Sequence, residues 1–181
     1  MRKIIVALVV IGLLAFAAAY AASPYLAFYQ LQTAAKSGNR DVLEDAVDFP
    51  SVREDFKAQL NAAFMAKMQK DQNLRANPFA AIGMLLVPAV LDRMIDAYIT
   101  PQGISQMVLN ARTPEPGQPK ANPDSDKHIT LHSGYVSLNR FKVTAVNDTE
   151  PGKPIAFVME RRGFFAWKLI RIELPLQDTG K

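Results

Sequence analysis

Residues 135–174, YVSLNRFKVTAVNDTEPGKPIAFVMERRGFFAWKLIRIEL, decide the fold class of this chain. Three segments within this stretch, 135–146, 155–161 and 165–174, are rich in β-branched and aromatic residues and are separated by turn-forming residues. They predict three antiparallel strands. The apolar positions of the first segment change parity near Asn139 and Arg140, which predicts a bulge or a sharp curl there and a curved sheet.

Helix-start signals recur in the sequence before residue 112. Each supplies a capping oxygen or a proline where a helix needs no N–H, and they are Ser23-Pro24, Ser51 with Glu54, and Thr100-Pro101. The uncharged run 79–91 is too short to span a membrane, so it predicts a mostly buried helix that is kinked or ended near Pro88. The sequence therefore predicts an α+β domain, with several helices packed on a curved sheet of three or slightly more strands. The run FFAWKLI at 164–170, after the predicted glycine hairpin, resembles the last strand of nuclear-transport-factor-2-like folds.

Changes in composition predict the domain boundaries. Residues 1–22 form a membrane segment, 23–111 a helical part, 128–176 an antiparallel β-meander and 177–181 a tail. The connector 112–127 contains four prolines and no large apolar residue. Such a segment buries too little surface to offset its conformational entropy, which predicts a flexible linker.

The apolar stretch 4–22 follows directly after the positive residues Arg2 and Lys3. At about 1.5 Å per residue it reaches roughly 28 Å as a helix, close to the roughly 30 Å of a bilayer's hydrocarbon layer. The preceding charges predict a cytoplasmic N-terminus and a periplasmic body, anchored by a single pass in a bacterial inner membrane. The alternative is a cleaved signal peptide that releases the body into the periplasm, because small-x-small triplets occur at 17–19 and 19–21.

The composition excludes several classes of site. The chain has no cysteine, so it has no disulfide, thiolate metal site, cysteine nucleophile or lipid-modified cysteine. Its formal charge is +4, with acidic residues mixed among the basic ones. Since nucleic-acid binding requires a concentrated basic face, no nucleic-acid partner is expected.

Candidate catalytic and metal-binding residues are sparse. His128 and His132 are weak metal candidates, because their four-residue spacing puts both on one face of a strand or helix. The alternative is two surface histidines beside a mobile connector. Nucleophile elbows, phosphate loops and zinc-protease patterns do not occur in the sequence. We therefore expect no catalytic residue, no cofactor and no enzymatic activity.

Aromatic residues cluster on the predicted sheet, and they include Tyr135, Phe141, Phe157 and Trp167. They are candidates for a ligand pocket between sheet and helices, or they form the hydrophobic core. Arg161-Arg162, at the predicted last hairpin, could contact anionic lipid headgroups beneath a tethered domain, or could lie in a solvated turn.

Several short runs carry a resemblance to a known family. They are SPYLAFYQL at 23–31, VDFP at 47–50, KAQL at 57–60 and MIDAYITPQG at 94–103. Together they resemble the bacterial domain of unknown function 2939 family over about 23–107. Members of this family similarly carry an N-terminal hydrophobic segment, which implies the anchor. The resemblance implies no activity, cofactor or catalytic residue.

These features together predict a membrane-anchored, periplasm-facing protein that acts by binding or scaffolding. Its expected partners are the membrane, through residues 4–22, and another envelope protein. The alternative is a periplasmic protein that holds a small apolar ligand or a lipid in a pocket, and an enzyme is the least expected class.

Overall fold

A computed structural model describes residues 2–70, 78–112, 129–148 and 150–176. Within these residues, five helices precede four strands. The helices are α1 (Arg2–Ser37), α2 (Arg40–Ala46), α3 (Phe49–Lys70), α4 (Pro78–Tyr98) and α5 (Pro101–Arg112). The strands are β1 (Ile129–Ser137), β2 (Arg140–Asn147), β3 (Glu150–Arg161) and β4 (Trp167–Glu173). The predicted connector, apart from Arg112, lies outside the described residues, as do His128 and the tail.

The four strands form one antiparallel sheet in the order β1-β2-β3-β4, which confirms the α+β prediction. The first predicted strand, 135–146, is two strands joined by a turn at Leu138-Asn139, so the change of parity at 139–140 marks a reversal of the chain and not a bulge. A register irregularity lies nearby, between Tyr135 and Ser137. The apparent change of parity arises from Val136 and Leu138, which stand at even-numbered positions. Both are exposed near the turn, and neither belongs to the core.

Helix α1 runs without a break through Ser23-Pro24, where the sequence predicted a new helix start. Because Pro24 has no N–H, the carbonyl of Tyr20 loses its normal helical donor. The Ser23 hydroxyl donates to that carbonyl at 2.8 Å, and the Tyr135 hydroxyl lies 3.4 Å from it. These side chains replace the missing backbone bond, so the helix continues.

The next helices begin at two different kinds of cap. Before α2, Gly38 has a φ of 68°, and the Asn39 side chain accepts a hydrogen bond from the Val42 N–H at 3.3 Å. Helix α3 begins before the predicted Ser51 cap, because the Asp48 carboxylate accepts from the Ser51 N–H at 3.3 Å. Asp48, rather than Ser51, therefore caps α3.

Helices α4 and α5 fall where the sequence places them. α4 is a single helix that includes Pro88. α5 begins at Pro101, and the Thr100 hydroxyl accepts from the Gly103 N–H at 2.9 Å. The Thr-Pro start signal is therefore confirmed.

The hydrophobic core lies between one face of the sheet and the helices α1, α2 and α3. It consists of Leu31, Ala34, Leu43, Val47, Phe49, Val52, Phe141, Val143, Met159, Trp167 and Leu169. The segment between α2 and α3 is fastened to β4, since the Asp48 N–H donates to the Leu169 carbonyl at 2.8 Å. The C-terminal part of α1 is thus part of the folded body.

Candidate functional site at the membrane-proximal junction

Helix α1 has two halves in different surroundings. Every residue from 2 to 19 is exposed, whereas the half from 20 to 37 contains the buried residues Ser23, Pro24, Leu31 and Ala34. The most apolar window of α1 has a mean hydropathy of 2.7, and none of its residues is buried within the protein. By length and composition, α1 is compatible with a single-pass membrane anchor or with a signal peptide.

The second half of α1 lies along the sheet and runs opposite in direction to β3. The Arg161 guanidinium lies 3.7 Å from the centroid of the Tyr20 ring, and the Phe28 ring centroid lies 5.9 Å from that of Phe157. From Tyr20 to Phe28 the helix rises about 12 Å, and from Phe157 to Arg161 the strand rises about 13 Å, so the two segments match in length. The Arg161 end of β3 therefore points toward the exposed half of α1.

Arg161 lies at the centre of this junction. Its guanidinium packs over the Tyr20 ring at 3.7 Å and over the Trp167 ring at 4.3 Å, which are cation–π distances. Nη1 donates to the Phe164 carbonyl at 2.5 Å, and Nε donates to the Leu138 carbonyl at 3.2 Å. Arg161 thus joins α1 to both the β1–β2 hairpin and the β3–β4 hairpin.

Ser23 makes the second link between α1 and the sheet. Its side chain is buried, and its hydroxyl accepts from the Trp167 indole N–H at 2.9 Å while it donates to the Tyr20 carbonyl. One hydroxyl therefore satisfies both a buried donor and the carbonyl that Pro24 leaves without a partner. Sequence reasoning missed this role. The available signal was the single tryptophan, because a buried indole N–H requires an acceptor.

The four predicted pocket residues lie on the same face of the sheet. The ring centroid of Tyr135 lies 5.4 Å from that of Phe141 and 6.0 Å from that of Trp167. Phe157 lies farther along the sheet and contacts Phe28 instead. Phe141 and Trp167 are only 0% and 4% exposed and belong to the core. Binding of a small apolar ligand by these residues stays a prediction.

Two of the basic residues near the last hairpin are paired within the protein. Arg162 lies 2.9 Å from the Asp48 carboxylate and 3.0 Å from that of Glu160. Arg171 lies 2.8 Å from Asp55, which is on α3. These ion pairs attach β3 and β4 to α3 and to the residue that caps it, and contact of the predicted basic residues with lipid headgroups stays a prediction.

The two histidines do not form a described site. His132 is exposed on β1, on the sheet face opposite to Tyr135, and His128 lies outside the described residues. Within the parts of the chain that the structure describes, no group of three His, Cys, Asp or Glu residues could hold a metal ion. A metal site that includes His128 stays a prediction.

Helix α4 carries an exposed apolar stripe at every fourth position. Its members, Leu86, Val90, Met94 and Tyr98, are each more than half exposed, whereas Ile95 is buried. The prediction of a mostly buried helix is therefore wrong for Leu86 and Val90, whose side chains lie away from the core. Such a stripe is typical of a contact surface, and nothing in the structure shows what covers it.

Comparison with known proteins adds one match. A family model described as "Protein of unknown function (DUF2939)" matches residues 13–107. The matched segment begins within the exposed half of α1, includes Tyr20 and Ser23, and ends in α5, before the first strand. No curated protein and no solved structure matches the chain significantly.

Proposed function

The chain belongs to the DUF2939 family of proteins of unknown function, and we propose that it is a single-pass membrane protein whose body faces the periplasm and acts by binding or scaffolding rather than by catalysis. The observation that carries this proposal is the continuity of α1. Its exposed apolar half and the half built into the core belong to one helix, so the body is held directly at the end of the span. Arg2 and Lys3 precede the span, which favours a cytoplasmic N-terminus.

The same continuity supports an anchor over a cleaved signal peptide. Cleavage after Ala19 or Ala21 would fall inside α1, at residues that contact the body. The Tyr135 hydroxyl donates to the Ala21 carbonyl at 3.1 Å, and Arg161 stacks on Tyr20. Cleavage after Ala21 would remove both contacts, so we expect the N-terminal segment to be retained.

A binding or scaffolding role is supported by the way the body is attached. The polar groups of Arg161 and Ser23 bond to α1 and to the hairpins. These bonds fix the orientation of the sheet relative to the span. A domain attached in this way holds its outer surface at a constant height above the bilayer, as a protein that positions a partner requires.

The mass and topology of the mature protein test this proposal. Because the chain has no cysteine, Tyr29→Cys places a unique thiol at a position that is 67% exposed beyond the span, and Lys3→Cys places one before it. We expect an uncleaved protein that resists alkaline extraction from membranes. An impermeant maleimide added from the periplasmic side should label Tyr29→Cys, and should label Lys3→Cys only after the membrane is opened.

Two results would contradict the proposal in different ways. A soluble protein that lacks the residues up to Ala19 or Ala21 would overturn the anchor. A membrane-bound protein with the reverse labelling pattern would overturn the periplasmic orientation and leave the anchor intact.

A further inference from the structure

We propose that the two hairpins at the junction insert apolar side chains into the lipid interface around the α1 span, so that the protein holds the membrane at a second surface. This surface, the tip patch, consists of the side chains of Val136, Leu138, Phe164 and Phe165. The inference rests on the anchored topology proposed above, and it names lipid as the partner of this end of the domain.

The tip patch is exposed although its side chains are large and apolar. The exposed fractions are 63% for Val136, 77% for Leu138, 74% for Phe164 and 47% for Phe165. The antiparallel strand order puts the β1–β2 and β3–β4 turns at the same end of the sheet. Large apolar side chains that are exposed together at one end of a domain favour a contact with a protein or a membrane.

The tip patch is continuous with the membrane span. The Phe16 ring lies 6.4 Å from that of Phe164 and 5.5 Å from that of Phe165, both edge-to-face. Phe16 lies about 9 Å along the helix before the end of the apolar stretch at Ala22. Apolar side chains of interfacial segments reach roughly 5–10 Å into the boundary between headgroups and acyl chains. A bilayer that covers Phe16 therefore also covers the two phenyl rings, which identifies lipid as the occupant.

Several polar backbone groups of the hairpin turns are hydrogen-bonded within the protein, as an interfacial position requires. A non-helical turn near the hydrocarbon layer must have its polar groups satisfied by the protein or by water. Arg161 donates to the carbonyls of both Leu138 and Phe164, and the Arg162 N–H donates to the Ala166 carbonyl at 2.9 Å. Tyr20 lies beside Arg161, and tyrosine is enriched where a membrane meets water.

The charges of the tips are compatible with lipid. Glu160 lies opposite both Arg140 and Lys168 in the sheet, and Arg162 forms ion pairs with Asp48 and Glu160, so this end of the sheet keeps a small positive excess. Anionic headgroups attract such a surface.

Depth-dependent quenching in nanodiscs tests the proposal on the full-length chain. Single-cysteine variants carry an NBD fluorophore at Phe164 or Leu138 in the tip patch, at Ile11 in the span, or at Tyr29 as the aqueous control. Each disc holds one protein in lipid of mixed neutral and anionic headgroups, with nitroxides at a shallow or a deep acyl position. We expect blue-shifted tip probes that shallow nitroxides quench most, a span probe that deep nitroxides quench most, and an unquenched probe at Tyr29.

The outcomes separate this inference from the anchor. A quenched span probe with unquenched tip probes would overturn the inference and leave the anchor standing, whereas an unquenched span probe would overturn the anchor itself. Tip probes that are blue-shifted but not quenched by lipid nitroxides would indicate a protein contact and would also overturn the inference.

A charged substitution gives a second test. In Phe164→Asp, the probe at Leu138→Cys should lose nitroxide quenching, because a carboxylate resists transfer from water. The probe at Ile11→Cys should keep its quenching, which controls for loss of the anchor. Unchanged quenching at Leu138→Cys would mean that Phe164 does not hold the tip in the interface, which would overturn the tip patch as a second membrane-binding surface.

Discussion

The two halves of α1 belong to one continuous helix but lie in opposite surroundings. From 2 to 19 all side chains are exposed, whereas from 20 to 37 one side of the helix is buried against the body. After the two N-terminal charges, the first half is apolar on every side, while the second includes Gln30, Gln32 and Thr33. An apolar surface all round suits lipid, and a one-sided stripe suits a protein core. The surroundings of α1 change at Tyr20 and Ser23, where the helix makes contacts with Arg161 and Trp167 of the sheet.

The largest difference in stability should appear when one leucine of each half is replaced by alanine. Leu31 is 6% exposed and lies in the core, whereas Leu14 is 65% exposed. Leu31→Ala leaves a cavity and should reduce the free energy of unfolding by about 2–5 kcal/mol. Leu14→Ala removes no core contact and should change it by less than about 0.5 kcal/mol. Denaturant unfolding in detergent, followed by the fluorescence of Trp167, measures both.

The volume-conserving variant Leu31→Met controls for the general sensitivity of α1 to substitution. It should lose less than about 1.5 kcal/mol, because methionine fills most of the same space. Equal losses for Leu31→Ala and Leu14→Ala would show that the first half also packs within the protein, contrary to the comparison.

An intermediate effect should follow from removing the link between α1 and the hairpins. Arg161→Ala loses two cation–π contacts and its bonds to both hairpin turns, and should destabilise the fold by about 1–3 kcal/mol. The neighbouring Arg162 forms partly exposed ion pairs, so Arg162→Ala should cost only about 0–1 kcal/mol. The emission of Trp167 should change only in Arg161→Ala, since Arg161 covers the indole ring.

The variant Arg161→Lys tests whether the junction requires the guanidinium group of Arg161 or only its positive charge. Lysine lacks the planar guanidinium that stacks and donates to two carbonyls, so it should not restore stability. A larger loss for Arg162→Ala than for Arg161→Ala would mean that Asp48, at the start of α3, holds the last hairpin more firmly than α1 does.

The fold was predictable where its signals are local. Gly38 and Asn39 mark the start of α2 through their own backbone and side-chain chemistry, and Thr100-Pro101 does so for α5. The β-branched and aromatic residues of 155–161 and 165–174, bounded by turn-forming residues, predicted β3 and β4. The length of the first apolar stretch likewise follows from counting residues.

The junction was not predictable, because it depends on residues that are far apart in the chain. Ser23 and Trp167 are separated by 144 positions. Local chemistry fits Ser23-Pro24 as a helix start equally well. The hydrogen bonds that Ser23 makes to the Tyr20 carbonyl and to the distant Trp167 indole let the helix continue instead. The hydrophobicity of Val136 and Leu138 likewise does not reveal whether these side chains face the core or lie exposed.

The smallest predicted effect is the difference in stability between alanine variants of the two serines in the second half of α1. Ser23→Ala leaves the buried Trp167 indole N–H without its acceptor, which should cost about 1–2 kcal/mol. Ser37 is exposed and donates only to the Ala34 carbonyl at 3.2 Å, so Ser37→Ala should change stability by less than about 0.5 kcal/mol. Chemical unfolding compares the two, and Trp167 emission should change only in Ser23→Ala.

Ser23→Thr keeps the hydroxyl and should retain most of the stability lost in Ser23→Ala, which would assign the effect to the hydrogen bond. If instead Ser23→Ala and Ser37→Ala behave alike, the indole N–H has another acceptor. The boundary between the two halves of α1 would then depend on the stacking of Arg161 on Tyr20 and on the Tyr135 hydroxyl, which donates to backbone carbonyls at that level of the helix.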